Sequence, residues 1–410
     1  MSASYETARA GAIARQCGTG LKSGWSGVLA MTLCVFALVA SEFMPVSLLT
    51  PVAADLKVSE GLAGQAISVS GAFAVVTSLL ITTLARRTDR KLLLLWMTAL
   101  MFISGGVIAL APSYPVYLFG RVLVGVAIGG FWSMSAATAI RLVPRDQVPR
   151  ALAVFNGGNA LATVVAAPLG SYLGSIVGWR GAFFCLVPVA MLAFAWQWIS
   201  LPKMDSDPHA RRGGVLGLLA SRPIALGIAA VGVFFMGQFA LFTYVRPFLE
   251  TVTAVPVSTL SLILLVVGVA GFIGTVLIGR LLGTGLYRTL IILPILLAVI
   301  AVALIAVGKS MVAVTVLLAL WGLVATAAPV GWWTWLARSL PRDAEAGGGL
   351  MVAAVQLSIA LGSTAGGVLF DMSGYASTFA LSAAMLLVAA LLAFLASRSS
   401  PAAGAVEAHA

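Results

Sequence analysis

"PKMDSDPHARRGGVLGLLASRP", residues 202–223, is the only long polar stretch between the first apolar run of this chain and the last. On either side lie runs of about 20 apolar residues, each long enough to cross about 30 Å of hydrocarbon as a helix. Upstream they fall near 26–50, 62–85, 92–112, 115–140, 151–177 and 182–201. Downstream they fall near 224–249, 258–283, 288–307, 311–337, 351–370 and 377–396. Composition agrees, since 61% of the 410 residues are hydrophobic and 9% are charged, too little charge to cover a water-soluble chain of this length. The predicted fold class is an all-α polytopic membrane protein with twelve transmembrane helices in two six-helix bundles, 25–201 and 224–397. Residues 1–24 and 398–410 read as tails and 202–223 as the central loop, in which "GVLGLLASR" is either a surface-lying segment or a plain linker.

The basic residues orient the spans. Arg86, Arg87, Arg90 and Lys91, then Arg141, Arg145 and Arg150, then Lys203, Arg211, Arg212 and Arg222 all fall in alternate loops, on the same side as Arg9, Arg15 and Lys22. Cytoplasmic loops of membrane proteins collect such residues. Both termini are therefore expected in the cytoplasm, with the chain in a bacterial inner membrane. The net charge of +11 fits a lipid bilayer as partner better than nucleic acid. Cys17, Cys34 and Cys185 have no ligand spacing, and His209 and His409 make no cluster, so no metal site is expected. Gly347–Gly349 lack the lysine of a phosphate loop, and the spans hold no paired acids and no nucleophile beside a base. An enzyme is not expected, nor any cofactor.

The halves repeat. "RLVPRD" at 141–146 returns as "RSLPRD" at 338–343, offset by 197. At nearly the same offset "SEF" at 41–43 faces "GQF" at 237–239, and Asn159 faces Gln356. Parallel repeats of this kind describe transporters with a substrate site at the bilayer midplane between the halves.

Longer motifs carry a family resemblance: "RVLVGVAIGG" at 121–130, "APLGSYLGSIVGWRGAF" at 167–183, "SEFMPVSLLTPVAADL" at 41–56, "GQFALFTYVRP" at 237–247 and "PVGWWTWLARSL" at 329–340. The chain resembles the major facilitator superfamily, in particular its twelve-span proton-coupled drug and metabolite exporters and, among these, the purine ribonucleoside efflux branch. "TTLARRTDRKLL" at 82–93 stands where that family has its glycine- and arginine-rich loop signature, but with Thr82, Arg86 and Asp89 at three of its positions. By the resemblance, Arg87, Asp89 and Arg90 are candidates for gating at this loop. The resemblance further implies export of inosine- or guanosine-like nucleosides and their analogues by proton antiport, with resistance to toxic analogues as a consequence. It implies alternating access by a monomer driven by the proton gradient alone. Sugars or multiple drugs are the alternative cargo.

Of the 13 acids, Glu42 is the one set well inside a span, where a carboxylate costs about 2.5–3.5 kcal/mol on insertion scales. Arg121 enters with the fourth span, about six residues deep. The first and fourth spans line the cavity in the family, so the two are expected to meet, with Glu42 as proton carrier and Arg121 tuning it; a static ion pair is the structural alternative. The repeat puts neutral Gln238 opposite Glu42, so proton handling is assigned to the first half. For a nucleoside, the intramembrane amides Asn156, Asn159, Gln238 and Gln356 are candidate partners, with Gln65 weaker. Phe239, Trp132 and Trp333 are the candidate stacking surfaces. Phe131 and Trp332 are also available, and Trp335 reads as an interface anchor. Interhelical hydrogen bonding and lipid-facing rings are the alternatives for these residues. Arg246 reads as a gate, a substrate attractor or a surface charge.

Overall fold

The computed structural model describes residues 2–84, 88–144, 147–204, 215–340 and 344–399, and among these the regular structure is helical throughout. Within hydrocarbon each backbone N–H and C=O has to find its partner inside the segment, which leaves the helix as the solution for these runs. The helices are α1 (Ser2–Ser47), α2 (Leu49–Leu56), α3 (Glu60–Leu84), α4 (Arg90–Ala109), α5 (Tyr114–Leu142), α6 (Val148–Phe184) and α7 (Leu186–Ser200). After a 3-10 turn at Val215–Ala220 follow α8 (Arg222–Phe242), α9 (Val245–Thr251), α10 (Val257–Thr284), α11 (Leu286–Val307), α12 (Met311–Ser339), α13 (Ala344–Ser373) and α14 (Tyr375–Ser399). That turn occupies the stretch read as surface segment or linker.

Eleven described runs are long and apolar enough to cross a membrane, and one of them, Arg150–Ser200, has 51 residues. A helix of that length would be about 75 Å long. It is two crossings. At Gly178 the backbone takes φ 73° and ψ 167°, a left-handed conformation open mainly to glycine, and the chain turns back. Trp25 Nε1 donates to Gln147 Oε1 at 2.7 Å, whereas Arg180 pairs with Asp55. Ser200 Oγ then returns to within 2.8 Å of Ser26 Oγ. The path runs up α1 and back down it, so the crossings number twelve among the described residues, as the sequence predicts.

The duplication is visible in the backbone. Among the described residues the non-glycine residues with positive φ are Lys57 and Ala254, both at 55°, and the positive-φ glycines are Gly178 at 73° and Gly374 at 75°. Each pair is separated by 196 or 197 residues, the offset of the sequence repeat. Each half begins with a long helix that breaks, at Ser47 and at Phe242, and resumes as a short one holding Pro51 or Pro247. Lys57 closes the first of these short helices by donating its N–H to the Ala53 carbonyl, a left-handed C-cap.

Helices pack through small residues, as they must where lipid offers no hydrophobic drive for association. Gly274 of α10 lies on α12, where a Cβ would stand 2.8 Å from the carbonyl carbon of Leu323. Gly279, one turn further on, has nothing within 4 Å of such a Cβ. Gly274→Val is expected to cost about 1–3 kcal/mol through overpacking, read as a lower thermal midpoint in detergent, with Gly279→Val unchanged. Equal midpoints would show that this contact does not limit stability.

The bundles meet along α3 with α13 and α6 with α10. Ser68 Oγ donates to the Ala360 carbonyl at 2.9 Å, and Thr364 Oγ1 lies 2.8 Å from Ser68 Oγ. Pro168 in α6 has no N–H for the Val164 carbonyl four residues back. Gly268 of α10 packs on that oxygen, where a Cβ would stand at 2.6 Å. These hydrogen bonds lie toward the end remote from the termini, called here the far end.

Candidate functional site

The first polar cluster grows out of a proline. Pro45 lies inside α1 and cannot donate to the carbonyl of Ser41, four residues earlier. That oxygen accepts instead from Arg121 Nη1 of α5 at 3.0 Å. Arg121 Nε donates to the Ala66 carbonyl at 3.2 Å and Nη2 to Ser70 Oγ at 2.8 Å, both on α3. The guanidinium is fully buried. Its planar fork suits three acceptors on two helices, where the point charge of a lysine would not.

Glu42 follows Ser41, yet its carboxylate turns the other way. Oε1 accepts from Gln356 Nε2 at 3.0 Å, across the divide from the first bundle to α13 of the second. The expected meeting of Glu42 with Arg121 is near but indirect: among the described residues they form no ion pair, they interact electrostatically, and the arginine holds the backbone one residue before the acid. Successive helical side chains diverge by about 100°. A helix carbonyl points along the axis, so the Ser41 oxygen meets Arg121 while the Glu42 side chain projects outward to Gln356.

Beside Glu42 is an aromatic contact. The Phe43 ring lies 6.1 Å from Phe239 and 6.5 Å from Phe242. Phe43 and Phe239 are equivalents in the repeat, so their meeting puts them on the axis that relates the halves. Next to Phe239, Gln238 has its Oε1 buried with no hydrogen-bond partner among the described residues. Buried acceptors are rarely left so.

Residues 31–362 match the Major Facilitator Superfamily. The chain belongs to this superfamily. It is 62% identical over 384 residues to "Transcription regulatory protein OpdE" of Pseudomonas aeruginosa, covering 93% of this chain and 96% of that protein. It is 40% identical over 371 residues to "Purine ribonucleoside efflux pump NepI" of Salmonella enteritidis PT4, covering 90% and 94%. Its fold matches the crystal structure of a bacterial homologue of the human lysosomal transporter Spinster in an inward-facing, unoccupied conformation. The TM-score is 0.74 at 17% identity, covering 93% of this chain and 99% of the other.

In this superfamily member the remaining predicted residues are dispersed. Asn156 is exposed, and its Nδ2 donates back to the Leu152 carbonyl at 2.9 Å. Asn159 is half-buried. Gln65 is half-buried on α3, beside Thr364 of α13. Trp132 is half-buried and meets Phe155 edge-on within its own bundle, while Phe131 is buried there. Trp333 is 45% exposed on α12. Its neighbours Trp332 and Trp335 are in the core of the second bundle, and Trp335 Nε1 donates to Tyr287 Oη at 3.2 Å. Trp335 is therefore a core residue and not an interface anchor. Of the aromatic set, Phe239 is the one placed in a ring contact with the other bundle.

At the loop before α4, Arg87 is outside the described residues. Asp89 caps α4, accepting from Lys91 N at 2.8 Å, and also accepts from Met204 N at 3.1 Å. The Arg90 N–H donates to the Met204 carbonyl. These contacts tie the loop to the chain leaving α7 within the same half. Arg246 is no surface charge: it is 5% exposed, and its Nε lies 2.8 Å from Glu250.

Phe43 and Ser41 carry contacts that the sequence alone does not assign. The signal for Ser41 was present, because Pro45 announces a freed carbonyl. Phe43 could have been found as the repeat partner of Phe239.

Proposed function

We propose that this transporter exports purine ribonucleosides in exchange for protons, by alternating access of its two bundles, with Glu42 as the proton carrier. The single observation that carries the reading is the Glu42–Gln356 hydrogen bond. It sets a titratable group of one bundle against an amide of the other, where a proton changes which bundle contact is favoured. As a carboxylate, Glu42 accepts from Gln356. Once protonated it gains a donor of its own, and its hydrogen bond from Gln356 loses the assistance of the charge.

The cargo reading rests on the 40% identity to the protein named as a purine ribonucleoside efflux pump and on groups suited to a purine. The Phe43–Phe239 pair offers apolar faces for the ring system. The unpartnered Gln238 Oε1 offers an acceptor for a ring N–H or a ribose hydroxyl, and the Gln356 carboxamide oxygen offers another. Arg121 holds α1, α3 and α5 in register around the acid. The distribution of the basic residues supports both termini on the cytoplasmic side of a bacterial inner membrane, and a monomer suffices for the scheme. No cofactor enters. A proton moving inward against a neutral cargo carries net charge, worth about 2.3 kcal/mol per 100 mV.

The test is uptake of labelled inosine, arabinose and ethidium into inverted membrane vesicles with an imposed pH gradient. Inosine accumulation that collapses with an uncoupler is the expected result. Accumulation of arabinose or ethidium instead would replace the cargo, and inosine accumulation indifferent to the uncoupler would remove the proton.

A second reading comes from the relative at 62% identity named as a transcription regulatory protein. An exporter that lowers the cytoplasmic level of a purine effector would alter transcription without touching DNA. Under this reading, deletion changes transcript levels and a Glu42→Gln copy, which no longer exports against a gradient, does not restore them. Restoration by that copy would favour regulation independent of transport.

A further inference from the structure

We propose that Asp371 and Arg246, both on the second bundle, form a two-point electrostatic latch that holds the far end of the transporter closed by gripping two helix ends of the first bundle. The proposal stands whatever the cargo, because it concerns the contact between bundles alone.

The first grip is on the start of α3. Asp371, near the end of α13, accepts from Ser59 Oγ at 2.5 Å through Oδ2 and from the Gly61 N–H at 2.9 Å through Oδ1. The first N–H groups of a helix have no partner within it, and the helix dipole adds positive potential there. Asp371 thus adds a carboxylate from the other bundle to a helix start whose Leu62 N–H is already capped by Ser59 Oγ at 3.1 Å. Fit is close: a Cβ on Gly61 would fall 2.6 Å from the Gly367 carbonyl, and Tyr244 of the second bundle stacks on Phe370 at 5.2 Å.

The second grip is on the end of α1. Pro51 has no N–H to give the Ser47 carbonyl four residues back. Arg246 Nη1 of α9 takes that oxygen. A helix C-terminus carries negative potential and favours a cation. An anion on one helix start and a cation on one helix end, both reaching from the same bundle, give the two grips complementary sign.

Both grips are built for release. Asp371 is exposed and borders an open surface depression of about 470 Å³, lined also by Thr50, Ser59, Glu60 and Phe370, so its carboxylate is not stranded in hydrocarbon when α3 moves away. Arg246 is buried but holds Glu250 four residues on, at 2.8 Å. When it lets go of Ser47 its charge remains compensated. A latch that strands no charge on opening suits a protein that opens in every cycle.

The experiment is a spin-label distance measurement across the far end, with P112C and K309C introduced into a chain whose Cys17, Cys34 and Cys185 are serine. Pro112 and Lys309 are exposed and lie in far-end loops of opposite bundles. D371A is expected to raise the far-end-open fraction by about tenfold, the scale of a lost charge-assisted hydrogen bond. R246Q/E250Q, which leaves no stranded charge, is expected to do the same. D55N is the control, since Asp55 carries a comparable far-end pair with Arg180 that stays within the first bundle. Should D371A fail to give a monodisperse protein, D371N takes its place. An unchanged distance distribution in both latch variants, or an equal shift in D55N, would overturn the proposal.

Discussion

Glu42→Gln loses accumulation of nucleoside against a gradient and keeps exchange of nucleoside for nucleoside. Glutamine has nearly the volume of the acid, and its carboxamide oxygen still accepts from Gln356 Nε2, so the contact between α1 and α13 survives. What disappears is the site for a proton. With one proton per cargo, one unit of pH difference sustains about a tenfold concentration ratio, and the variant is expected to stop at a ratio near one. Gln356→Leu separates the two contributions. It leaves the proton site and removes the amide that holds it, so coupling should weaken without vanishing, and its pH profile should move. Among the described residues the charged group that bears on Glu42 is Arg121 from α5, with Gln356 as the neutral partner from α13. Measurement is by labelled inosine in proteoliposomes with and without a pH step. A tenfold accumulation that persists in Glu42→Gln ends the proton-carrier reading.

Arg121→Met should be among the most destabilising single changes in the chain. Its loss strands the Ser41 carbonyl and takes one partner each from the Ala66 carbonyl and the Ser70 hydroxyl, at about 1–3 kcal/mol for a buried group left unpaired. Ser70 Oγ has other acceptors at Ala66 and Ile67, so the Ser41 carbonyl carries the clearest penalty. That penalty has a specific remedy. Pro45→Ala restores the N–H that Ser41 lacks, so the double variant with Arg121→Met should recover part of the loss. Pro45→Ala alone should gain little, because its carbonyl is already satisfied. The coupling is read from a double-mutant cycle on thermal midpoints in detergent. Independent, additive effects would show that proline and arginine are not joined through this oxygen. Arg121→Lys should lie between, keeping the charge while losing the fork.

The two prolines of the first repeat explain why part of the site was readable and part was not. Pro45 and Pro51 free the carbonyls of Ser41 and Ser47, and this follows from the chain alone. That Arg121 takes one and Arg246 the other depends on a helix of the same bundle and on a helix of the opposite bundle. Glu42 likewise stands out in the sequence as an acid within a span. Its partner is 314 residues away, and the spacing of neither residue points to the other. Gln356 stands out in the sequence as an intramembrane amide, and only the structure shows that its Nε2 donates to the acid. Asp89 was expected at a gate by resemblance, and it caps α4 and grips Met204.

What the sequence determined by itself is the membrane class, the span count and the duplication. Those rest on local quantities: the length of apolar runs, the distribution of arginines, and glycines and prolines whose backbone limits are the same in any surroundings. Even the turn at Gly178 inside a 51-residue apolar run is a local event. The tertiary structure alone decided which polar groups meet, because a shift of one residue swings a helical side chain by about 100°. The docking of the two bundles then selects which of those directions face each other.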